Sequence, residues 1–466
     1  MADLVGNFIV GLFLLLAAAV LVGELATRFG QAALVGQLAV GVILGPTILG
    51  PFLGLSAISA ELTGIQFLAT FFILVMAGLE ISPEELYASG LPAVVLGLSI
   101  FLGPFALGAV VVHLAYPTLS LLTALFVSLT LSITALPVMG VMLGEFKIGR
   151  TKMGTLLLNT AVVNELAAVS CFAVLLRLQG DPGGGWIGPA IAVVSVGLFL
   201  AAVLTAHMVL RLLRESPVWN RLKRGFRQTW RSKEAGFAVL MVMALGSALF
   251  SQFLGLTFLV GAFYAGLLIT PESAGHREHR SLRHAFDAIT WGFFIPLFFA
   301  FVGLGMNLRT LAASEPALVT FLLLIAFALG AKLVIGTFVA RRLGWPSAQA
   351  RAIGFLVSSR GAVELAMAVI LLEAGVFTTP IYTVVAGVGL VTTVIAPIGA
   401  RRWGRLPTDE PVAEGLARPT GHRLFARPLR PADLGRDVRV ARPSPTPISL
   451  VGPVGARPIA PPDPPA

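Results

Sequence analysis

The sequence has little charge: only 12% of its 466 residues are Asp, Glu, Lys or Arg, against roughly 25% in an ordinary soluble domain. Because 56% of its residues are apolar, a water-soluble globular protein is excluded. A single cysteine, Cys171, lies in an apolar run, which excludes a disulfide framework and a cysteine-based metal site. The basic residues outnumber the acidic ones by 33 to 23, but they form short clusters between long uncharged segments, so no nucleic-acid partner is expected.

Other absences narrow the functional classes. The first apolar run, residues 4 to 26, lacks the basic start and the small-residue cleavage site of a secretory signal, so it is predicted to be a retained helix. We find no nucleophile with a matching base and no Gly-rich phosphate loop, so neither an enzyme nor a cofactor is expected. His113 and His207 each stand alone on an apolar segment, and therefore no transition-metal site is expected.

Long apolar runs dominate what is present. A helix that crosses the bilayer needs about 20 apolar residues, and thirteen runs have nearly this length. They cover residues 4 to 26, 31 to 50, 61 to 80, 91 to 114, 119 to 144, 150 to 177, 187 to 214, 234 to 252, 255 to 271, 285 to 305, 316 to 343, 347 to 373 and 378 to 402. The sequence thus predicts an all-α polytopic membrane protein with about 13 transmembrane helices.

The basic residues indicate how these spans are oriented. Lys and Arg are concentrated in alternate connections, among them Arg28, residues 147 to 152, and residues 211 to 233 with eight basic residues. The opposite connections hold little beyond Arg177 and Arg309. Since cytoplasmic loops carry the excess of basic residues, we predict a multi-pass protein of the cell membrane whose N-terminus is outside and whose C-terminus is cytoplasmic.

The composition changes near residue 403. From Pro407 to the end there are 14 of the 30 prolines and eight arginines. Such a segment has too little apolar surface to offset its chain entropy. We therefore predict two parts: a membrane domain over residues 1 to 402 and a disordered, Pro- and Arg-rich cytoplasmic tail over residues 403 to 466.

Ionisable residues deep inside the spans form the functional shortlist, because each costs on the order of 2.5 to 3.5 kcal/mol to insert. They are Glu165, Lys332, Arg360 and Glu364. Arg360 and Glu364 are four residues apart and thus on one helix face, where a structural pair is favoured over a direct part in transport. Glu80 and Asp287 lie near span ends, where reaching water is inexpensive.

Two spans have the sequence of interrupted helices. In the span 119 to 144, Pro137 removes a backbone donor, while Ser132 and Thr134 supply side chains that bond the freed groups. In the span 347 to 373, Arg360 is surrounded by small and polar residues. These are Ser358, Ser359 and Gly361.

The order of these spans repeats. A broken fifth span is followed by the sixth, and a broken twelfth span by the thirteenth, seven spans later. Because seven is odd, the second copy has the opposite orientation across the membrane. This inverted repeat is typical of secondary transporters, whose binding sites lie at the midplane beside unwound half-helices.

Six stretches of the chain resemble one family. They are LVGQLAVGVILGPTILG (34 to 50), FFILVMAGLEI (71 to 81), LSITALPVMGVML (131 to 143), FLVGAFYAGLLI (258 to 269), PLFFAFVGLGMNL (296 to 308) and SSRGAVEL (358 to 365). They resemble, in order, the monovalent cation:proton antiporter superfamily, in particular its branch of Kef-type potassium and bacterial sodium/proton antiporters. The resemblance covers residues 5 to 402.

The resemblance implies 13 helices, a dimerisation domain that makes the protein a homodimer, and a mobile core domain with two discontinuous helices that cross. It places the cation-binding pair on Asn164 and Glu165 and the core lysine on Lys332. It places the helix breaks at residues 134 to 137 and 359 to 361. Relatives generally carry Asp at the position of Glu165, and the cues for proton stoichiometry conflict, so the stoichiometry stays open.

The expected function is exchange of sodium or potassium for protons by alternating access. Burial disfavours a charged carboxyl and a nearby cation favours it, so Glu165 is expected to bind a proton and a cation in turn. Asn164 and Thr134 would add hard oxygen donors, which suit an alkali ion. Lys332 is expected to compensate the dipoles of the broken helices, to pair with Glu165 in the empty state, or both.

Two alternatives remain at this point. An exporter of a small organic molecule or an ionophore would reuse the same fold, since fold does not fix the substrate. A cation channel is the other alternative, but it requires a continuous polar pore, whereas the polar groups here converge in one midplane zone.

Overall fold

The structure, a computed structural model, describes residues 8–29, 31–49, 60–80, 90–149, 151–180, 235–268, 276–312 and 315–407, together with scattered residues between 190 and 209. The predicted disordered tail lies outside these residues, apart from its first five positions. All regular secondary structure in the described ranges is helical.

The helices have the following bounds: α1 Phe8–Arg28, α2 Ala33–Leu44, α3 Ala60–Glu80, α4 Gly90–Ala115, α5 Leu121–Thr130, α6 Leu136–Glu145, α7 Lys152–Gly180, α8 Ala235–Phe253, α9 Phe258–Leu268, α10 His276–Ile289, α11 Ile295–Gly305, α12 Leu308–Ala312, α13 Glu315–Arg342, α14 Ser347–Leu356, α15 Ala362–Glu373 and α16 Thr379–Trp403. A π-helical turn, Thr290–Phe294, joins α10 to α11 without a break.

These helices occupy twelve of the thirteen predicted spans. The remaining span, residues 187 to 214, lies largely outside the described residues, so the count of thirteen stays a prediction. Within the described part of the chain, eight helical segments are long and apolar enough to cross a membrane. The four half-helices on either side of the two breaks have 10 to 12 residues, too few to cross a bilayer alone.

The first predicted break separates α5 from α6. Pro137 is the second residue of α6, where a missing backbone donor costs nothing because the first turn of a helix has no acceptor for it. The hydroxyl of Ser132 donates to Ser128 O at 2.7 Å and satisfies a carbonyl at the end of α5. The chain is therefore interrupted where the sequence predicts it, at minimal cost in backbone hydrogen bonds.

The second break, between α14 and α15, mirrors the first and crosses it. The Ser358 hydroxyl donates to Gly354 O at 2.9 Å, in the same way that Ser132 bonds within α5. Ala135 N of the first break donates to Ser359 O of the second at 3.4 Å. A side chain at Gly361 would overlap with Ala135 and Val138, so the crossing requires a glycine at this point.

The helices pack as two groups. The site group consists of α4 to α7 and α13 to α16, where α4 packs against α5, α7 and α13, and α16 packs against α13, α14 and α15. The frame group consists of α1 to α3 and α8 to α11, where α2 packs against α1 and α11, and α9 packs against α3 and α8. Fewer residues join one group to the other than join neighbours within a group.

The packing shows the inverted repeat in detail. The pair α2 and α11 is equivalent to the pair α9 and α3, and each pair meets at two facing glycines, Gly41 with Gly303 and Gly266 with Gly78. A Cβ at any of these four positions would overlap with a backbone carbonyl of the facing helix. Two close helix contacts, one in each repeat, thus stabilise the frame group by the same means.

This packing predicts a large difference between two glycines of α3. Gly78→Ala is expected to lower stability by about 1–3 kcal/mol, the usual cost of overpacking, because its methyl group would collide with Phe263 O. Gly64→Ala, the matched control, has nothing within 4 Å of the added Cβ and should be neutral or slightly stabilising. Thermal unfolding of the two detergent-purified variants measures the difference, and equal stabilities would contradict the close packing of α3 and α9.

Candidate functional site

The candidate site lies where the two helix breaks cross, and α7 provides its acid. Glu165 is 0% exposed. Its Oε1 accepts a hydrogen bond from Leu136 N, at the start of α6, at 2.8 Å. The first amides of a helix carry partial positive charge, so α6 favours an anion at this position.

The second carboxyl oxygen of Glu165 is free. Oε2 is buried and has no hydrogen-bond partner in the part of the chain that the structure describes. No ion pair within 4.0 Å joins Glu165 to any described lysine or arginine. The carboxyl therefore keeps one oxygen available for a proton or a cation.

Asn164, beside the acid, holds the first break open. Its Oδ1 accepts from Thr134 N at 2.7 Å, and its Nδ2 donates to Ser132 O at 3.2 Å. The side chain thus replaces two hydrogen bonds that a continuous helix would have made. Because an amide oxygen has two lone pairs, Oδ1 keeps one that is not used by Thr134 N.

Lys332 of α13 lies at the same break. Its Nζ donates to Ile133 O and to Thr134 Oγ1 at 2.8 Å, and the Thr134 hydroxyl in turn donates to Val357 O of the second break at 2.7 Å. Lys332 and Glu165 do not form an ion pair in this structure. The bond to Ile133 O is the contact expected of a lysine that compensates the dipole of a broken helix, and that role stays a prediction.

Arg360 and Glu364 form an ion pair of 3.2 Å between Nη1 and Oε1, and both are almost completely buried. The guanidinium also donates to the last carbonyl of α5, Thr130 O, at 2.8 Å and to the carbonyl of the next residue, Leu131. A cation is favoured at a helix C-terminus, so Arg360 stabilises the end of α5 while it neutralises Glu364.

The two buried acids of the crossing therefore differ in their partners. Glu364 has a permanent counter-charge four residues away, in Arg360. Glu165 has no side-chain counter-charge among the described residues and only the N-terminus of α6 beside it, whereas a free oxygen is common to both acids, since Glu364 Oε2 is also buried without a hydrogen bond there. Only Glu165 is available to exchange one positive partner for another, because Glu364 would first have to give up Arg360.

The structure brings together every residue that the sequence places at the site. Ser132, Thr134 and Pro137 form the first break, and Ser358, Ser359 and Gly361 the second. Ser359 contributes its backbone carbonyl, while its hydroxyl has no partner among the described residues. Sequence reasoning missed Thr393 of α16, whose hydroxyl accepts from Arg360 N at 3.2 Å, and a lone threonine in an apolar run gives no signal for this role.

Glu80 and Asp287 depart from the expectation that they reach water. Asp287 is 7% exposed, and Glu80 Oε2 is buried without a hydrogen-bond partner in the described ranges. Asp287 Oδ2 lies 3.8 Å from Arg283 Nε, and Arg283 is also within electrostatic range of Glu80. Packing of α3 against α10 and the π-helical turn covers these carboxylates, and hydropathy alone cannot predict such covering.

A known protein family matches most of this chain. The family described as "Sodium/hydrogen exchanger, transmembrane" matches residues 12–405 of this chain. The matched segment includes every residue of the crossing.

Individual proteins of this kind are also similar. The Na(+)/H(+) antiporter NhaS4 of Synechocystis sp. is 27% identical over 391 residues, covering 80% of this chain and 92% of that protein. The Na(+)/H(+)-K(+) antiporter GerN of Bacillus cereus is 26% identical over 393 residues, covering 84% and 95%.

A solved structure shows the same fold. The sodium proton antiporter MjNhaP1 from Methanocaldococcus jannaschii superposes with a TM-score of 0.64 at 15% identity, covering 86% of this chain and 97% of that one.

Proposed function

The chain belongs to the transmembrane sodium/hydrogen exchanger family, so its activity is the exchange of a monovalent cation for protons, and we propose that Glu165 is the side chain that carries both. Sodium or potassium is the proposed cation, in keeping with the names of the similar antiporters. The family is one of transporters, and we propose that this protein acts as a transporter in a membrane.

The observation that carries this proposal is the free Oε2 of Glu165. It is buried, without a hydrogen bond and without an ion pair among the described residues. A buried carboxylate without a counter-charge is unfavourable, and either a proton or a metal cation removes this cost. Because one oxygen can hold only one of them, uptake of the cation expels the proton.

Oxygen atoms around Glu165 complete the proposed cation site. Asn164 Oδ1 and Thr134 Oγ1 each keep a lone pair beyond the hydrogen bonds described above. Hard oxygen ligands of this kind suit an alkali ion. Both residues also fix the break between α5 and α6, so they position Glu165 as well as provide ligands.

We propose that the site group moves against the frame group and exposes Glu165 to each side of the membrane in turn. The dense packing within each group and the few residues that join the groups support movement as two bodies. Lys332 and Arg360 would move with the rest of the site group, since both side chains donate to carbonyls of that group. The ion pairs between described residues, Arg283 with Asp287 and Arg360 with Glu364, each lie within one group, so this movement breaks neither of them.

Competition for one carboxyl predicts a simple pH dependence. In liposomes that contain the purified full-length chain, the half-saturating cation concentration should rise about tenfold for each unit of pH decrease, once the protonated form of Glu165 dominates. Exchange is measured with a pH-sensitive dye on addition of sodium, potassium or lithium. The maximal rate at saturating cation should change much less than the half-saturating concentration over the same range.

Two results would contradict a shared site. One is a half-saturating cation concentration that does not change with pH in the range where protons are transported. The other is binding of the cation to purified protein without release of protons.

We also propose the assembly and topology that the sequence indicates. The protein is a homodimer in the cell membrane, with its N-terminus outside and the Pro- and Arg-rich segment over residues 403 to 466 on the cytoplasmic side. The distribution of Lys and Arg between alternate connections supports this orientation. Labelling of cysteines placed at Lys147 and at Arg309 with an impermeant reagent should occur from opposite sides of the membrane.

A further inference from the structure

Hydrogen bonds from two tyrosines cross the interface between the site group and the frame group. The chain has only four tyrosines, and two of them, Tyr264 and Tyr382, are buried within apolar helices, at 3% and 1% exposure. Tyrosine hydroxyls in an apolar interior are retained where they have a partner. In both cases the partner lies in the other group of helices.

Tyr264 extends from the frame group to the helix that carries the acid. Its hydroxyl lies 3.0 Å from the hydroxyl of Ser170 on α7. The ring is fixed in its own group by an edge-to-face contact with Phe263, with centroids 5.3 Å apart. Ser170 is five residues beyond Glu165 on α7, about 7 Å along the helix axis.

Tyr382 makes the complementary contact from the site group. Its hydroxyl donates to Val302 O of α11 in the frame group at 2.9 Å, and its ring packs against Gly305. The next residue, Thr383, accepts a hydrogen bond from Asn307 N at 3.0 Å. The first turn of α16 is thus hydrogen-bonded to α11 and to the residues that follow it.

Both tyrosine bonds lie on the same side of Glu165. One end of the site group, here called the basic end, contains the start of α7 at Lys152 and the end of α16, where Arg401 lies 4.6 Å from the ring of Phe146. Ser170 is farther from this end than Glu165, and Tyr382 is about 30 Å from it along α16. The two bonds therefore close the interface between Glu165 and the opposite face of the membrane.

We propose that Tyr264 and Tyr382 are positioning residues. Their hydroxyls hold the two helix groups together between Glu165 and the membrane face opposite the basic end, and so prevent access to Glu165 from that face. This inference rests on the proposed function, because it assumes that Glu165 is exposed to the two faces in turn. Opening toward the opposite face separates α7 from α9 and α16 from α11, so both bonds must break. Their strength sets the balance between the two orientations of the carrier.

The test measures exchange from both faces. Full-length Tyr264→Phe, Tyr382→Phe and the double variant are assayed in right-side-out and in everted vesicles, with sodium or potassium, whichever the parent carries faster. A carrier binds its cation more tightly at one face when a larger fraction of the molecules is open to that face. In each single variant, the ratio of the half-saturating concentrations at the two faces should change about fivefold, as expected for one lost neutral hydrogen bond. The change should be toward tighter binding at the face opposite the basic end.

The double variant and a partner variant separate this role from simple stabilisation. The ratio should shift about 25-fold in the double variant if the bonds act independently. Ser170→Ala removes the bond of Tyr264 from the other side and should reproduce the shift of Tyr264→Phe. Tyr116→Phe, in the connection after α4, is the matched control and should leave the ratio unchanged.

A ratio within twofold of the parent in all three tyrosine variants, with or without a lower unfolding temperature, would overturn the inference and leave the tyrosines a structural role. A shift toward tighter binding at the basic end would overturn it as well. Failure of the proposed function has a different signature, since the parent itself would then show no competition between cation and proton.

Discussion

Glu165→Gln is expected to reduce cation/proton exchange to the background of vesicles that lack the protein. The amide keeps the size of the side chain and an oxygen that can accept from Leu136 N, so the start of α6 stays capped. It has no titratable group, and it leaves no negative charge to attract a cation into the crossing. In everted vesicles with an imposed pH gradient, addition of sodium, potassium or lithium should no longer dissipate the gradient.

Two further variants serve as a conservative substitution and a control for this result. Glu165→Asp keeps the charge but shortens the side chain by one methylene, so exchange should be retained in part, with altered cation affinity. Glu373→Gln removes an exposed carboxyl at the end of α15, away from the crossing, and should behave as the parent does. Parental dissipation by Glu165→Gln would exclude Glu165 as the carrier.

Much of the crossing could be predicted because breaks in membrane helices have local causes. Pro137 predicts the start of a half-helix from local chemistry alone. Its ring would clash with a carbonyl of a preceding helical turn, and it has no backbone N–H to donate. The serines before each break bond within their own helix, four residues back. Such short-range chemistry is present in the sequence before any tertiary contact forms.

The partners of the buried charges could not be predicted in the same way. The spacing of Arg360 and Glu364 predicts a common helix face, and the structure has the pair. The additional bonds from Arg360 to Thr130 O and Leu131 O join residues that are far apart in the sequence. Whether Lys332 contacts Glu165 or a backbone carbonyl of the first break also depends on which distant residues the fold brings next to it.

Hydropathy also misjudged groups that neighbouring helices cover. Asp287 and Glu80 lie near span ends, yet one carboxyl oxygen of each is buried where α3, α10 and the π-helical turn pack together. Tyr264 and Tyr382 are similar cases, because each is one polar group in an apolar run and its partner belongs to another helix group. The hydropathy pattern of one helix cannot indicate which polar side chains or carbonyls of another helix pack against it.

The second large effect is expected from loss of Arg360, and it is an effect on folding. Arg360→Met leaves Glu364 as an unpaired buried charge and removes the donors of Thr130 O and Leu131 O. Removing one partner of a buried ion pair typically costs about 3–5 kcal/mol. We expect a large decrease in the unfolding temperature of the detergent-purified variant and a low yield of folded protein.

The double variant Arg360→Met, Glu364→Leu decides whether the pair is structural or takes part in transport. It removes the unpaired charge, so it should recover part of the stability that Arg360→Met loses, since a buried pair replaced by apolar residues often costs little. If the pair is structural, the folded fraction should still exchange cations for protons through Glu165, with unchanged competition between them. Loss of exchange in well-folded double variant would instead give Glu364 a direct part in ion transport, and the contrast between a paired and a free acid would no longer explain the site.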